Sequence, residues 1–319
     1  MTTRRNFLKN TTMLAAGLGV SPLLSSSPLR SYQKEEVING KVRIAVIGVG
    51  MGCRDLQGAL TDNPWVHCVG MCDVNKVRLE EQLARFKKDF PEQTVSIKAY
   101  TDFREVLANK EIDGVIIATP DHWHPYIFAE ALKAGKAIYV EKPVGNSISE
   151  CNAMMDFQKK YKGVVTTGLW QTSQRYFRAA NEILKSGVLG DVYKVQLWLC
   201  QSTNPRPSVE DSEAPSTLDY DMWLGPAPER PFNNSRFRGW RGFWDYGGGQ
   251  QTDWGVHWID SAFDGLKALG LCDREYPDAV FSIAYKDPAS FNETPSCQTS
   301  IFQYKNFHIE WAQQVAYLY

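Results

Sequence analysis

The stretch VRIAVIGVGMGCRDLQGAL, Val42 to Leu60, runs from a β-branched apolar segment through a cluster of glycines into helix-compatible sequence. A strand that turns on glycine straight into a helix is the opening unit of a dinucleotide-binding fold. The first glycine permits the tight turn, and the second lets the backbone approach a pyrophosphate. Gly48 and Gly50 fill those two places, with Met51 and Gly52 beside them, and the third place falls on Cys53 instead of glycine. Two glycines after a strand are weak evidence by themselves, so the next element carries weight. WVHCVGMCDVNKVRLEEQL, Trp65 to Leu83, reads as a second buried strand ending at Asp73, followed by an amphipathic helix. An acid at that strand end suits a ribose 2′-hydroxyl and repels a 2′-phosphate, which favours NAD over NADP; the competing reading is a helix N-cap.

The alternation continues with TDFREVLANKEI as a capped helix, DGVIIATP as a strand, YIFAEALKAG as a helix and KAIYVEKP as a strand. A βαβα order of this kind specifies an α/β fold with a doubly wound parallel sheet and its ligand at the carboxyl ends of the strands. Those ends carry TPDHWHP and EKPVG, which makes Thr119, Pro120, His122, His124, Glu141 and Lys142 candidates for cofactor contact. For His122 and His124, loop packing is the competing reading.

Composition bounds the remaining functions. The 319 residues are 43% hydrophobic, enough for one or two good cores, and carry a formal charge of −1. The first thirty residues hold Arg4, Arg5, Lys9 and Arg30 and no acid, so the rest of the chain carries 31 basic against 36 acidic residues. This mildly acidic body lacks a basic footprint, which argues against nucleic acid or anionic membrane as the main partner. Seven scattered cysteines, with neither a CxxC pair nor zinc-type spacing, give no reason to expect a metal.

The amino terminus pairs TRRNFLK with the weakly apolar TTMLAAGLGVSPLL. It resembles the twin-arginine export signal, with Arg4 and Arg5 as the pair, and implies a signal peptide over 1–31, the twin-arginine machinery as a partner and a periplasmic destination.

ATPDHWH, EKPVG and GGGQQTDWGVHWID together resemble the glucose-fructose oxidoreductase and inositol dehydrogenase family, Gfo/Idh/MocA, from about Val42 onward. DYDMWLGPAP and RGWRGFWDYGGG resemble its exported branch. The resemblance implies an NAD-binding Rossmann domain over 40–168. A C-terminal α/β domain over 169–319 would carry substrate contacts on a large, open, mostly antiparallel sheet. The chain stops at WAQQVAYLY, in sheet-forming sequence, which points to an incomplete second domain. The resemblance also places Lys142 at the reacting oxygen and brings Asp253 and His257 to the substrate.

The chemistry of those residue types agrees. Oxidising a secondary alcohol with NAD requires a base for the hydroxyl proton, the role given to His257. Asp253, four residues earlier, orients the imidazole or binds a neighbouring hydroxyl, and Lys142 supplies a positive donor as charge develops on oxygen. Arg175, Tyr176 and the aromatic stretch beginning at Trp240 suit a carbohydrate, apolar on its ring face and polar at its rim.

An exported enzyme lacks a free NAD pool, so the cofactor is expected to be held tightly and recycled in place. That leaves an oxidoreductase, or a glycosidase or lyase that oxidises, eliminates and reduces again. A third reading is a non-catalytic sugar- and NAD-binding relative. A homo-oligomer is allowed but not specified.

Overall fold

The structure is a computed structural model, and it describes residues 40–50, 63–91, 97–201, 207–272 and 276–315. The segment read as a signal peptide, together with Met51, Gly52 and Cys53, lies outside the described residues. The chain divides into two compact units that interleave in sequence. Among the described residues, the first takes up those up to 141, with 147–166 and 213–230; the second takes up 142–146, those between 167 and 212, and those from 231 onward.

The first unit is built on a six-stranded sheet of β1 (Val42–Ile47), β2 (Val66–Cys72), β3 (Lys98–Tyr100), β4 (Gly114–Ile117), β5 (Ala137–Val140) and β6 (Val165–Thr167). Their order is β3-β2-β1-β4-β5-β6. The pairings of β1 with β2 and β4, of β2 with β3 and of β4 with β5 are parallel. This is the Rossmann strand order, whose switch point lies between β1 and β4. Val46, Cys68, Met71 and Ile116 from the strands bury against Leu79 and Phe86 of α1 (Lys76–Asp89). Cap chemistry sets the helix starts. Asp102 accepts from the Arg104 amide at the head of α2 (Phe103–Ala108), and Ser147 and Glu150 form a reciprocal capping box on α4 (Ile148–Tyr161). Between them in sequence, α3 (His124–Lys133) begins with a proline in its first turn.

Asp73 is not the cap of α1. Asn75 holds that position and accepts from the Arg78 amide. Asp73 instead reaches back to the glycine turn, accepting from the Val49 amide at 3.0 Å and from the Asn75 amide at 2.8 Å. Burial raises its pKa above the ordinary carboxylate value, opposed by the charge of Arg78 and by these two amide bonds.

A late segment of the chain closes one edge of this unit. Asn75 bridges to Leu218, the Lys76 amide donates to Thr217 O, and the Asp219 amide donates to Val74 O. From there α6 (Tyr220–Leu224) brings the Trp223 carbonyl to the loop after β4, where His122 Nε2 and Trp123 Nε1 both lie 3.0 Å from it. The turn out of α6 works only with Gly225. Its φ is +49°, and a Cβ there would sit 2.0 Å from the Trp123 ring.

The second unit carries a four-stranded sheet in the order β7-β10-β9-β8, formed by β7 (Lys194–Gln201), β8 (Ala279–Tyr285), β9 (Cys297–Gln303) and β10 (His308–Val315). β10 is parallel to β7 and antiparallel to β9, and β8 is antiparallel to β9, so the sheet is mixed with antiparallel pairings in the majority. Ile309, Phe307 and Tyr304 pack with Leu266 of α8 (Val256–Ala268), which follows the short α7 (Asn234–Arg238) in sequence. α5 (Arg175–Lys185) lies against α8, with Asn181 donating to Asp264 at 2.8 Å.

The glycine turn gives the sharpest test of this fold. Gly48 has φ +88°, and a Cβ would meet the Ala118 carbonyl oxygen at 2.6 Å. Gly48→Ala is expected to cost about 3 kcal/mol, from left-handed backbone strain plus a clash with main chain that cannot swing aside. Gly50→Ala, with no described residue within 4 Å of its would-be Cβ, serves as the control. Urea denaturation of both variants checks this; equal stability would contradict the placement of Gly48 against the β4 end.

Candidate active site

Lys142 follows β5 in sequence but belongs with the second unit, and the peptide before Pro143 is cis. Its ammonium donates to the main-chain carbonyl of Asp253 at 2.8 Å and makes a short ion pair with the Asp253 carboxylate. Both side chains are largely buried, at 13% and 15% exposure.

Asp253 does not stand on an ordinary α-helical stripe. Residues Gln251–Gly255 form a π-helical turn that runs directly into α8. One wide turn shifts the register between Asp253 and the helix that follows, a device common where a helix carries a functional group. Gly255 lets the turn lie against the Trp311 indole, whose Cε2 would be 3.3 Å from an added Cβ. Gln251 is tied to Gln298 on β9 by a very short side-chain hydrogen bond.

His257 lies in the first turn of α8 and is 2% exposed. Its ring meets Trp170 edge-on at 5.5 Å between centroids and is tilted against Trp254 at 6.2 Å. Nδ1 is buried without a hydrogen-bond partner. Burial, helped by the Lys142 charge and opposed by Asp253, holds the imidazole pKa down at about 4. The ring is therefore neutral near pH 7, the form that accepts a proton. Asp260, further along α8, is also buried.

Two members of this cluster were not singled out from the sequence. Arg241 forms an ion pair with Asp253 at 3.1 Å and lies over the Trp240 ring at 4.2 Å. Trp170 supplies the aromatic edge against His257. RGWRGFWDYGGG contains Arg241 in plain view, but nothing local says which of its three arginine and aspartate charges turns inward. Trp240 thus serves as the platform for Arg241. Arg175 and Tyr176 are not drawn in: both are exposed at the start of α5, where the Tyr176 hydroxyl donates to Gln171.

The first unit gathers the remaining candidates at the carboxyl ends of its strands. His124 Nε2 lies 2.9 Å from the Thr119 carbonyl, Pro120 accepts from the Trp123 amide, and His122 is held to Trp223 as described. Glu141 accepts from the Tyr139 hydroxyl at 3.2 Å, and burial next to that carboxylate raises the Tyr139 pKa. Three features fit a dinucleotide: an obligatory glycine at 48, space above Gly50 that no described residue fills, and a buried Thr119 Oγ1 without a hydrogen-bond partner. Among the described residues no group of three or more His, Cys, Asp or Glu side chains is gathered for a metal.

Two sequence models of one family match the chain, covering more than half of it. Residues 42–169 match the oxidoreductase family's NAD-binding Rossmann fold, and residues 178–267 match its C-terminal α/β domain. The chain belongs to the Gfo/Idh/MocA oxidoreductase family. NAD is the cofactor of that family's Rossmann domain. An α-N-acetylgalactosaminidase of Tannerella forsythia is 33% identical over 47% of this chain and 34% of its own length. An inositol 2-dehydrogenase of Salmonella typhimurium is 24% identical over 47% of this chain and 43% of its own. The chain thus spans less than half the length of these curated relatives. Among solved structures, the WlbA dehydrogenase of Bordetella pertussis, in complex with NADH and UDP-GlcNAcA, superposes with a TM-score of 0.65. That match has 16% identity and covers 87% of this chain and 73% of that one, a likeness of fold.

The electrostatics of His257 can be tested directly. Its proton affinity in the folded chain lies below the ordinary 6.5, so the unfolded chain binds the extra proton between about pH 6.5 and pH 4. Stability is accordingly lost as pH falls through that window. An NMR titration should place the His257 ring midpoint near 4, and Lys142→Met should move it upward by removing a repelling charge. A wild-type midpoint at 6.5 would contradict this environment.

Proposed function

We propose that this family member oxidises a secondary alcohol of a sugar, polyol or glycoside by hydride transfer to NAD. One observation carries the reading. A buried neutral imidazole with an unpartnered ring nitrogen sits in the field of a lysine and an aspartate that are bonded to each other.

Roles follow from the charge states. The Lys142 ammonium donates to the alcohol oxygen and stabilises negative charge as it grows there. Asp253 holds that ammonium through its carbonyl and carboxylate, which limits the reorganisation needed during reaction. His257 accepts the hydroxyl proton. Lys142 disfavours the imidazolium by its charge, so proton uptake is promoted only as the alkoxide-like oxygen draws on that charge. Gly48, Gly50, Asp73 and Thr119 would hold NAD, which when bound supplies the hydride acceptor.

The amino-terminal TRRNFLK supports export by the twin-arginine route to the periplasm. In that compartment a tightly held, recycled NAD is the arrangement that sustains turnover. A glycosidase that uses NAD catalytically is the second reading, favoured by the glycosidase relative. In it the new carbonyl would acidify the neighbouring C–H; loss of that proton to a base expels the glycosidic oxygen as an alcohol, water adds across the C=C bond so formed, and the hydride taken up at the start returns to the carbonyl.

Purified protein should release NAD on denaturation, and free sugars should change the nicotinamide absorbance. Lys142→Ala and His257→Ala should each lower turnover by about 10²–10⁴-fold. Turnover that survives both substitutions unchanged rules this assignment out. Release of the aryl alcohol from nitrophenyl glycosides, without net NADH, would select the second reading.

A further inference from the structure

Arg241 is held on two sides and open on a third. Its planar face rests on the Trp240 indole, with Cζ 4.2 Å from the ring centroid, and its Nε faces Asp253 Oδ1 at 3.1 Å. Among the described residues nothing pairs with its two terminal amino groups. That edge is the flat, two-pronged donor that matches the spacing of a carboxylate. The side chain is 44% exposed, against 13% for Lys142, so the open edge is accessible where the lysine is enclosed.

The local charge count is unbalanced in the same direction. Lys142 and Arg241 each bring a positive charge to the one carboxylate of Asp253, while His257 stays neutral above about pH 4. These four groups carry a net charge of +1 at neutral pH. A neutral sugar would leave that charge unmatched, and a single carboxylate cancels it. A phosphate monoester, at roughly two negative charges, would overshoot and oppose Asp253.

We propose that the substrate of this site is a sugar acid, a uronic acid or uronide, whose carboxylate is taken by the terminal edge of Arg241. The proposal rests on reading the Lys142, Asp253 and His257 cluster as the alcohol-oxidising site. Arg241 is then a specificity residue. Its indole support fixes the guanidinium plane, and its tie to Asp253 links the place where the carboxylate binds to the lysine that meets the reacting oxygen.

The test is a set of matched pairs. Glucuronate and glucose, galacturonate and galactose, and the methyl glycosides of each are titrated into the protein at pH 7 by calorimetry. Glucose 6-phosphate is the third arm. At least one acid is expected to bind about tenfold or more tightly than its neutral partner, a preference that shrinks with added NaCl. Arg241→Ala should bring the ratio of the two affinities toward one, and Arg241→Lys should keep part of it. The ratio is the informative quantity, because a general loosening of the site weakens both members of a pair together. A ratio near one for every pair, a ratio unmoved by Arg241→Ala, or tighter binding of the phosphate than of any acid overturns the proposal. Turnover is scored separately. An acid preference without NAD reduction would sink the oxidoreductase reading and keep this one, whereas NAD reduction with no acid preference would do the reverse.

Discussion

One carboxylate shared by two cations organises the second unit. Asp253 meets Lys142 and Arg241 at once, and each of the three arrives on a different piece of chain: the segment after β5, a short turn at Trp240, and the π-helical turn before α8. A largely buried charge pair of this kind gains little over an apolar contact, but losing one partner leaves a charge stranded, at a cost on the order of 3–5 kcal/mol. That asymmetry is what makes Asp253 a registration point. It fixes where Lys142 lies, and the Lys142 charge adds to burial in keeping the His257 ring neutral.

The backbone around Asp253 serves the same end. Were Gln251–Gly255 wound as α-helix, the side chains before Val256 would be rotated relative to those after it. The π turn, pinned by Gln251 to Gln298 and seated on Trp311 through Gly255, sets that rotation. The imidazole is enclosed by Trp170 and Trp254, whose low polarity is the largest cause of its depressed pKa. The aromatic crowding around GGGQQTDWGVHWID therefore acts on acid–base behaviour as well as on packing.

In the first unit the corresponding role falls to hydrogen bonds between pieces of loop. Asp73 ties the glycine turn to the end of β2, and residues 217–225 tie the start of α1 to the loop after β4. Sequence reading placed Asp73 at the right strand end but left open whether it capped the next helix. The answer turned on Asn75 two residues later, equally suited to a cap, and only backbone geometry chooses between neighbours of equal propensity. His122 and His124 posed the same difficulty: the Nε2 of each ring meets a main-chain carbonyl, and one of those carbonyls lies about a hundred residues downstream.

The strand–helix alternation, the glycine turn and the pairing of EKP with D-x-x-x-H were legible in the sequence because they depend on local periodicity, on the steric demands of single residues and on short motifs. The four strands β1, β2, β4 and β5 could be anticipated from apolar runs bounded by turns, and Gly48 from the φ that its turn imposes; the three-residue β3 and β6 are too short to leave such a run. What only the tertiary structure decided is which charges meet. Trp170 on His257 and Trp223 over the loop after β4 join segments far apart in the chain, and Arg241 reaches Asp253 across a turn whose course no local pattern fixes. The free energy that selects such contacts comes from desolvation and Coulomb interaction in the folded state, neither of which leaves a periodic trace in the order of residues.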